Sequence, residues 1–482
     1  MLQECCPISD VKNSTRAPDV VVIGAGSAGF SAAITAAELG ANVTLVGHGA
    51  IGGTCANIGC VPSKALIRTV ESVHHARSAS SRFAGVAAQA RIEDWRAAIA
   101  QKDELVAYLQ GAKYRDVLTQ YETIHYVEGR ARFTRDGLIV AEQPIYPRHT
   151  IVATGASPAF PSIPGFDAVD ALTSTSALAL TELPKSLVVI GGGAVGCELG
   201  QLYARAGVAV TIVCRTRLLV SGEPEISDAL ARYLRAEGID VRTAVTYERA
   251  RATERGAELT VRDADGRALT LSAERVLAAT GRTPNTIGLD LEIAGIAQTA
   301  NGGIAIDDRM RTTRPDTYAV GDVTGKDMFV YMAAYGGKIA VENALGAGQG
   351  RRYDASAMPD VTFTDPQVAT VGLTEARALA AGYAVDTVVL PLDAVPRALV
   401  ARDTRGLIKL VADRGTGRLL GAHVLAPEGG DTIQTAVLAM KGGLTVSDLA
   451  ETIFPYLTTV EGLKLAALAF NKDVSKLSCC AG

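Results

Sequence analysis

Asp19-Val-Val-Val-Ile-Gly24-Ala-Gly26-Ser-Ala-Gly29 decides the fold. A short apolar, β-branched run breaks on three glycines spaced G-x-G-x-x-G. The next residues, Phe30-Ser-Ala-Ala-Ile-Thr-Ala-Ala-Glu-Leu-Gly40, favour a helix closed by glycine. Val43-Thr-Leu-Val46 reads as a second strand. Strand, glycine turn, helix, strand is a βαβ unit. In such a unit Gly24 makes the turn, Gly26 lets a phosphate approach the backbone, and Gly29 lets helix and strand pack. A pyrophosphate then rests on the helix N-terminus.

The same grammar recurs downstream. Leu187-Val-Val-Ile190 runs into Gly191-Gly-Gly193-Ala-Val-Gly196, a helix-forming stretch, and the strand Val208–Val213. Each unit is followed by a strand that ends in Ala-Thr-Gly: Thr154-Gly155 in the first and Thr280-Gly281 in the second. A grammar repeated twice implies two dinucleotide-binding domains. From about 358 the texture changes to short strands and Ala/Leu-rich helices with no nucleotide fingerprint. The predicted fold is α/β: two Rossmann-like domains plus a C-terminal α+β domain. The boundaries read as an arm over 1–17, a first domain over 18–160 and 290–357, and a second over 161–289. A third domain spans 358–470, and a polar tail 471–482.

Composition agrees. At 482 residues the chain has room for about three domains. With 48% hydrophobic and 20% charged residues it can bury ordinary cores, which excludes a disordered chain. A net charge of −4 carries no nucleic-acid signature. No apolar run is long enough for a membrane span, and the arm lacks the apolar stretch of a secretory signal, so a cytoplasmic protein is expected. The eight cysteines are too few for a disulfide scaffold. They fall as Cys5-Cys6, Cys55 with Cys60, the singletons Cys197 and Cys214, and Cys479-Cys480. Paired cysteines in a reducing compartment read as redox or metal chemistry. The two singletons read as core residues.

The end of the second strand selects the dinucleotide. In the second unit it reads Val213-Cys-Arg215-Thr-Arg217, with no acid, and an arginine grips phosphate by bidentate charge-assisted bonds. Arg215 and Arg217 therefore predict NADPH over NADH. In the first unit the same place reads Val46-Gly47-His48. The ribose-binding carboxylate is missing, which leaves backbone or water to hold the adenosine end.

Gly52-Gly53-Thr54-Cys55-Ala-Asn-Ile-Gly59-Cys60-Val-Pro62-Ser-Lys64 holds a candidate dithiol. In one regular helix, residues five apart differ by about 7.5 Å of rise, beyond the roughly 7 Å Cα limit of a disulfide. Gly59 and Pro62 argue that the segment is not regularly helical.

This stretch resembles the redox-active disulfide of the flavin-dependent pyridine nucleotide-disulfide oxidoreductases. The resemblance runs from about 18 to 470 and includes both hexads, both Ala-Thr-Gly ends, and Thr317-Tyr-Ala-Val-Gly-Asp322. It implies FAD on the first hexad with contacts from Gly53, Thr54, Lys64, Thr154, Gly155 and Asp322, the last on the ribityl chain. It implies NADPH on the second hexad, near Gly281. It also implies a disulfide between Cys55 and Cys60, Lys64 beside the flavin ring and paired with Glu198, and a homodimer through the C-terminal domain. Within the dithiol, Cys60, nearer Lys64, is expected to be the thiolate against the flavin and Cys55 the more accessible sulfur. Ala194 stands where many relatives place a tyrosine over the flavin.

Members that split disulfide substrates carry His-Pro-x-x-x-Glu, whose His acts as acid–base near neutral pH. Here the stretch reads Phe454-Pro455-Tyr456-Leu-Thr-Thr459. None of the six histidines (48, 74, 75, 125, 149 and 423) falls in it. Thiolates and a phenol remain, and thiolates select soft cations. The Phe-Pro-Tyr-Leu-Thr stretch and the terminal Ser-Cys-Cys-Ala-Gly resemble the branch of the family that reduces Hg(II). This implies Tyr456 on the metal path, and Hg(II) ligation by Cys55 and Cys60 and by Cys479 and Cys480. It implies an organomercurial lyase as a partner. The competing readings are a glutathione-, lipoamide- or trypanothione-type disulfide reductase, which the missing His disfavours, and a metal-sequestering protein, which would not need two nucleotide sites.

Overall fold

A computed structural model describes residues 18–473 and 476. They form two compact units. The first comprises residues 18–57, 107–157 and 283–353; the second comprises 58–106, 158–282 and the described residues from 354 onward.

The first unit is built on a five-stranded sheet. In spatial order its strands are Thr317–Ala319, His149–Val152, Val20–Ile23, Val43–Gly47 and Ile124–Glu128. All four pairings are parallel. Val20, Val21 and Val22 are fully buried, so both faces of the central strand are covered, as an all-parallel sheet requires. The helix Ser27–Glu38 packs its alanine face (Ala28, Ala32, Ala33, Ala36) on one side. Small side chains there allow close approach to the helix Val330–Ala344: a Cβ on Gly337 would lie 2.5 Å from the Ala28 carbonyl oxygen. Phe133, Leu138, Val140 and Ile304 belong to the core on the other side.

Parallel pairing has a direct functional consequence. Each strand ends at the same edge, and so do the signatures that follow the strands: Gly24–Gly29, Thr154-Gly155, Gly321-Asp322 and Gly47. Ligands of open parallel sheets bind outside the carboxyl ends of the strands.

The second unit repeats this plan. Its parallel sheet runs Asp240–Arg242, Ala209–Val213, Ser186–Ile190, Arg275–Ala278. The helix Ala194–Arg205 opens within the second hexad and is buried from Gly196 to Tyr203. Cys197 and Cys214 lie in the core of this unit, as the sequence suggested. Burial pushes both thiols up, well away from reactivity.

The second unit also contains the long helix Cys60–Arg82 and a five-stranded antiparallel sheet ordered Pro359–Thr362, Gln367–Gly372, Leu419–Ala426, Leu407–Asp413, Val385–Pro391. The helices Gly429–Lys441 and Glu461–Leu468 pack into the same core. Lys409 is buried to 1% exposure on this sheet. Its ammonium is held by Glu223 at 3.0 Å, Glu225 at 2.8 Å and Glu375 at 2.7 Å. Among the described residues no helix is long and apolar enough to cross a membrane.

Candidate active site

The two hexads have the same backbone geometry. Gly24 (φ +119°) and Gly191 (φ +120°) both adopt a conformation open only to glycine. A Cβ on Gly24 would collide with the Ala153 carbonyl, and one on Gly191 with the Ala279 carbonyl. The alanine of each Ala-Thr-Gly signature thus sets its carbonyl against the first glycine of its hexad. The third glycines, Gly29 and Gly196, leave the helix resting on the carbonyls of Gly24 and Gly191. The second glycines behave differently. Gly193 has nothing within 4 Å of a Cβ position, and Gly26 has only the Gly53 Cα at 3.7 Å. Both backbones are open to a phosphate. Gly53 (φ +66°) lies close on Gly26, with its Cβ position 2.6 Å from the Gly26 Cα, so it belongs to the first cradle. Thr154 donates its hydroxyl to the Asn285 carbonyl oxygen at 2.8 Å, which fixes the loop after its strand. These cradles fit a dinucleotide in each unit.

In the second unit the edge opens into a cavity of about 990 Å³, lined by Gly191–Val195, Cys214–Arg217, Thr280, Gly281 and Arg282 among others. That volume accommodates a dinucleotide. The two arginines expected at its phosphate differ. Arg215 is exposed, whereas one Arg217 amino group donates to the carbonyls of Val220 at 2.9 Å and Gly222 at 2.8 Å. Arg217 therefore ties down its own loop, and Arg215 keeps its side chain in solvent at the rim.

The dithiol segment consists of two helices, Gly53–Ile58 and Cys60–Arg82, broken at Gly59 (φ −133°, ψ −109°). Only Gly59 interrupts it. Pro62 fits inside the first turn, where its missing N–H would have had no intrahelical partner. Cys55 lies on the short helix, anchored by the Asn57 amide to the carbonyls of Ile51 at 2.9 Å and Gly53 at 2.8 Å. Cys60 is the first residue of the long helix, and its side chain meets the positive end of the helix dipole. In this chain Cys60, at a helix end, is exposed and Cys55 is half-buried.

Lys64 follows one turn after Cys60, on the same face of the helix. It pairs with Glu198 at 2.6 Å, as the resemblance implies. Glu198 is nearly buried, with 8% side-chain exposure, and its second oxygen accepts the Phe363 N–H at 2.9 Å. Lys64 also stands over the Phe363 ring, 4.6 Å from its centroid. The ammonium is therefore fixed from two sides. Asp360 lies in the same neighbourhood; burial, then the charge of Glu198, pushes its carboxyl up. Phe363 and Asp360 carry no sequence signal, because their roles arise from where the strand passes Glu198.

Asp322 sits half-buried in a single turn after the strand Thr317–Ala319, at the ligand edge of the first unit. Tyr456 is 46% exposed, in the loop before the helix Glu461–Leu468, and Phe454 packs on the C-terminal core. His74 and His75 lie far down the helix from Cys60. Burial holds His74 to about 4, and His75 is bonded to Asp365 at 3.0 Å. Cys5, Cys6, Cys479, Cys480, the arm and most of the tail lie outside the described residues.

Residues 18–337 match the model of the pyridine nucleotide-disulphide oxidoreductases, and residues 358–467 match the dimerisation domain of the same family. The chain belongs to this family. Among curated relatives it is similar to a mercuric reductase of Bacillus cereus, 47% identical over 96% of this chain and 73% of that one. A mercuric reductase of Streptomyces lividans is 46% identical over 96% of this chain and 98% of that one. Among solved structures it is similar to the Cu(II) complex of the HOCl-induced flavoprotein disulfide reductase RclA from Escherichia coli. The TM-score is 0.82 at 31% identity, over 95% of this chain and 100% of that one. The two-domain α/β architecture with a dimerisation domain is thus the family architecture.

Proposed function

We infer that the chain reduces Hg(II) to Hg(0) with electrons from NADPH. The observation that carries this is Phe454. A disulfide-splitting member needs an imidazole there to protonate a leaving thiolate, and this chain packs a half-buried phenyl ring against the core and offers Tyr456 beside it. Its near-full-length similarity to mercuric reductases supports the same reading.

FAD on the first cradle would relay two electrons from NADPH on the second to the Cys55–Cys60 pair. Gly24, Gly26, Gly29 and Gly53, with Thr154, Gly155 and Asp322, would hold the flavin nucleotide. Gly191, Gly193, Gly196 and Gly281 would hold the nicotinamide nucleotide, and Arg215 its 2′-phosphate. The rest is the work of the side chains. Cys60, at a helix N-terminus and one turn from the fixed Lys64 ammonium, is the thiol best placed to ionise. Glu198 and the Phe363 ring keep that ammonium in place.

Hg(II) arrives as a bis-thiolate. Two protein thiols displace two carrier thiols, each proton leaving with its departing thiol. Two electrons then enter the S–Hg–S unit, Hg(0) departs and two thiolates remain. Cys479 and Cys480 serve as the first exchange pair. They hand Hg(II) past Tyr456 to Cys55 and Cys60 of the partner subunit in a homodimer, and the cytoplasm supplies the NADPH. The test is NADPH oxidation with Hg(II) in excess thiol, compared with oxidised glutathione and oxidised lipoamide. Turnover with Hg(II) alone is expected. Turnover of either disulfide without Hg(II) turnover overturns the reading.

A further inference from the structure

Gly47 ends the second strand of the first unit, where an ordinary dinucleotide site has a carboxylate for the ribose. That place is filled. A Cβ on residue 47 would lie 2.5 Å from the Tyr126 hydroxyl, 2.7 Å from its Cε2 and 2.9 Å from the Ala25 Cβ. The tyrosine side chain thus stands where a side chain of residue 47 would begin, beside Ala25 in the first turn of the hexad. The register explains its reach. Tyr126 pairs with Leu45 and Glu128 with Gly47, so the ring starts two residues short of the edge and extends up to it. Strand pairing alone would leave a glycine notch at this edge; the phenol closes it.

We propose that the Tyr126 hydroxyl takes the adenosine ribose of FAD in place of the missing carboxylate. The inference rests on the reading that the first cradle holds FAD. A phenol carries one donor and acceptor lone pairs, so it can bond a ribose hydroxyl in either sense. Among the described residues nothing hydrogen-bonds the Tyr126 hydroxyl, and its bonding capacity remains for a ligand. Burial first, and the Glu128 charge second, raise its pKa against a smaller opposing effect of Arg115, which keeps the proton on at neutral pH. Unlike a carboxylate, the phenol brings no negative charge towards the pyrophosphate.

The test uses the full chain, stripped of flavin and titrated with FAD by fluorescence. A second ligand is an FAD analogue whose adenosine ribose lacks both hydroxyls. One lost hydrogen bond is worth about two- to tenfold in affinity. Tyr126→Phe keeps the ring and is expected to weaken FAD by that factor while leaving the analogue unchanged, so the preference for FAD shrinks. A second arm uses Tyr126→Ala, which opens the notch. Adding Gly47→Glu to it is expected to recover FAD affinity relative to Tyr126→Ala alone, whereas Gly47→Glu with the tyrosine present is expected to lose it by collision. An unchanged preference in Tyr126→Phe, or a double variant no better than Tyr126→Ala, overturns the inference while FAD binding stands. Failure of the unaltered chain to take up FAD overturns the cofactor reading and this inference with it.

Discussion

Lys64 and Glu198 offer a test in which two substitutions in one ion pair must act in opposite directions. Lys64 lies four residues after Cys60 on one helix, which puts their Cβ atoms about 5–6 Å apart. Its ammonium is pinned 2.6 Å from Glu198 and over Phe363. Cys60 is exposed and Lys64 is about a third exposed, so an effective dielectric near 40 is appropriate. A unit charge about 7 Å from the sulfur then contributes roughly 1 kcal/mol, about a fivefold change in thiolate population. Lys64→Met removes the positive charge and leaves the negative one. Alkylation of Cys60 is expected to slow about fivefold near neutral pH. Glu198→Gln keeps an acceptor for the Phe363 N–H but removes the negative charge, and alkylation is expected to accelerate by a similar or smaller factor. Both effects should fade at high salt. The assay is iodoacetamide labelling of the reduced chain, with the Cys60 peptide followed by mass spectrometry. Two changes of the same sign would indicate structural damage and not electrostatics, and would refute the reasoning.

Three further outcomes follow from the geometry. Arg215→Ala is expected to lower the NADPH-over-NADH preference by about tenfold or more, since a charge-assisted contact is worth roughly 1.5–3 kcal/mol. Arg217→Ala should leave that ratio nearly unchanged and lower stability, because its amino group holds the carbonyls of Val220 and Gly222; steady-state kinetics with both nucleotides check this. Lys409→Met strips the counter-charge from buried Glu223 and is expected to cost about 3–5 kcal/mol at neutral pH by urea denaturation. Burial raises Glu225, but the Lys409 hydrogen bond and a backbone N–H outweigh it and hold the carboxyl below the ordinary range. A depressed carboxylate stabilises above its unfolded pKa and loses that contribution as pH falls through the folded pKa, so the gap between the two proteins should narrow in acid; a constant gap refutes the account. Tyr456→Phe is expected to slow Hg(II) turnover while stopped-flow reduction of the flavin by NADPH is unchanged, and equal turnover would make Tyr456 a packing residue.

What the sequence reveals is whatever depends on neighbours along the chain. The hexads, their strands and their helices are local patterns, and the structure places them as read. Both Ala-Thr-Gly ends are legible for a related reason. Each alanine carbonyl must meet the first glycine of its hexad, so the signature and the hexad constrain each other. The Lys64–Glu198 pair was legible only through the family resemblance, since nothing local links residues so far apart. What the string hides has the same origin. Arg217 and Arg215 look equivalent in a string, but a turn brings two carbonyls to Arg217 and none to Arg215. Gly59 and Pro62 both look like helix breakers, yet Pro62 falls in a first turn, where its missing N–H costs nothing.

Gly47 shows how a departure that weakens a local motif can be met by a residue that no motif contains. Read along the chain, the glycine is a deletion: an acid is absent and the ribose loses its partner. Read across the sheet, it is half of a pair. A carboxylate side chain at 47 would displace the Tyr126 ring from its present place, because the first atom of one lies 2.5 Å from the hydroxyl of the other. The glycine therefore has a steric cause, and the tyrosine has a reason to be on the neighbouring strand with its hydroxyl at the edge. The carboxyl edge of a parallel sheet makes such an exchange possible, because adjacent strands deliver side chains to the same place by different routes. The second unit shows a parallel departure. Its strand is followed by Cys214 and exposed Arg215, with no acid, and the cavity beside them stays open. The same structural position is thus closed by a neutral phenol in one repeat and left open beside a cation in the other. That difference suits a nucleotide with a free ribose in the first unit and one with a 2′-phosphate in the second.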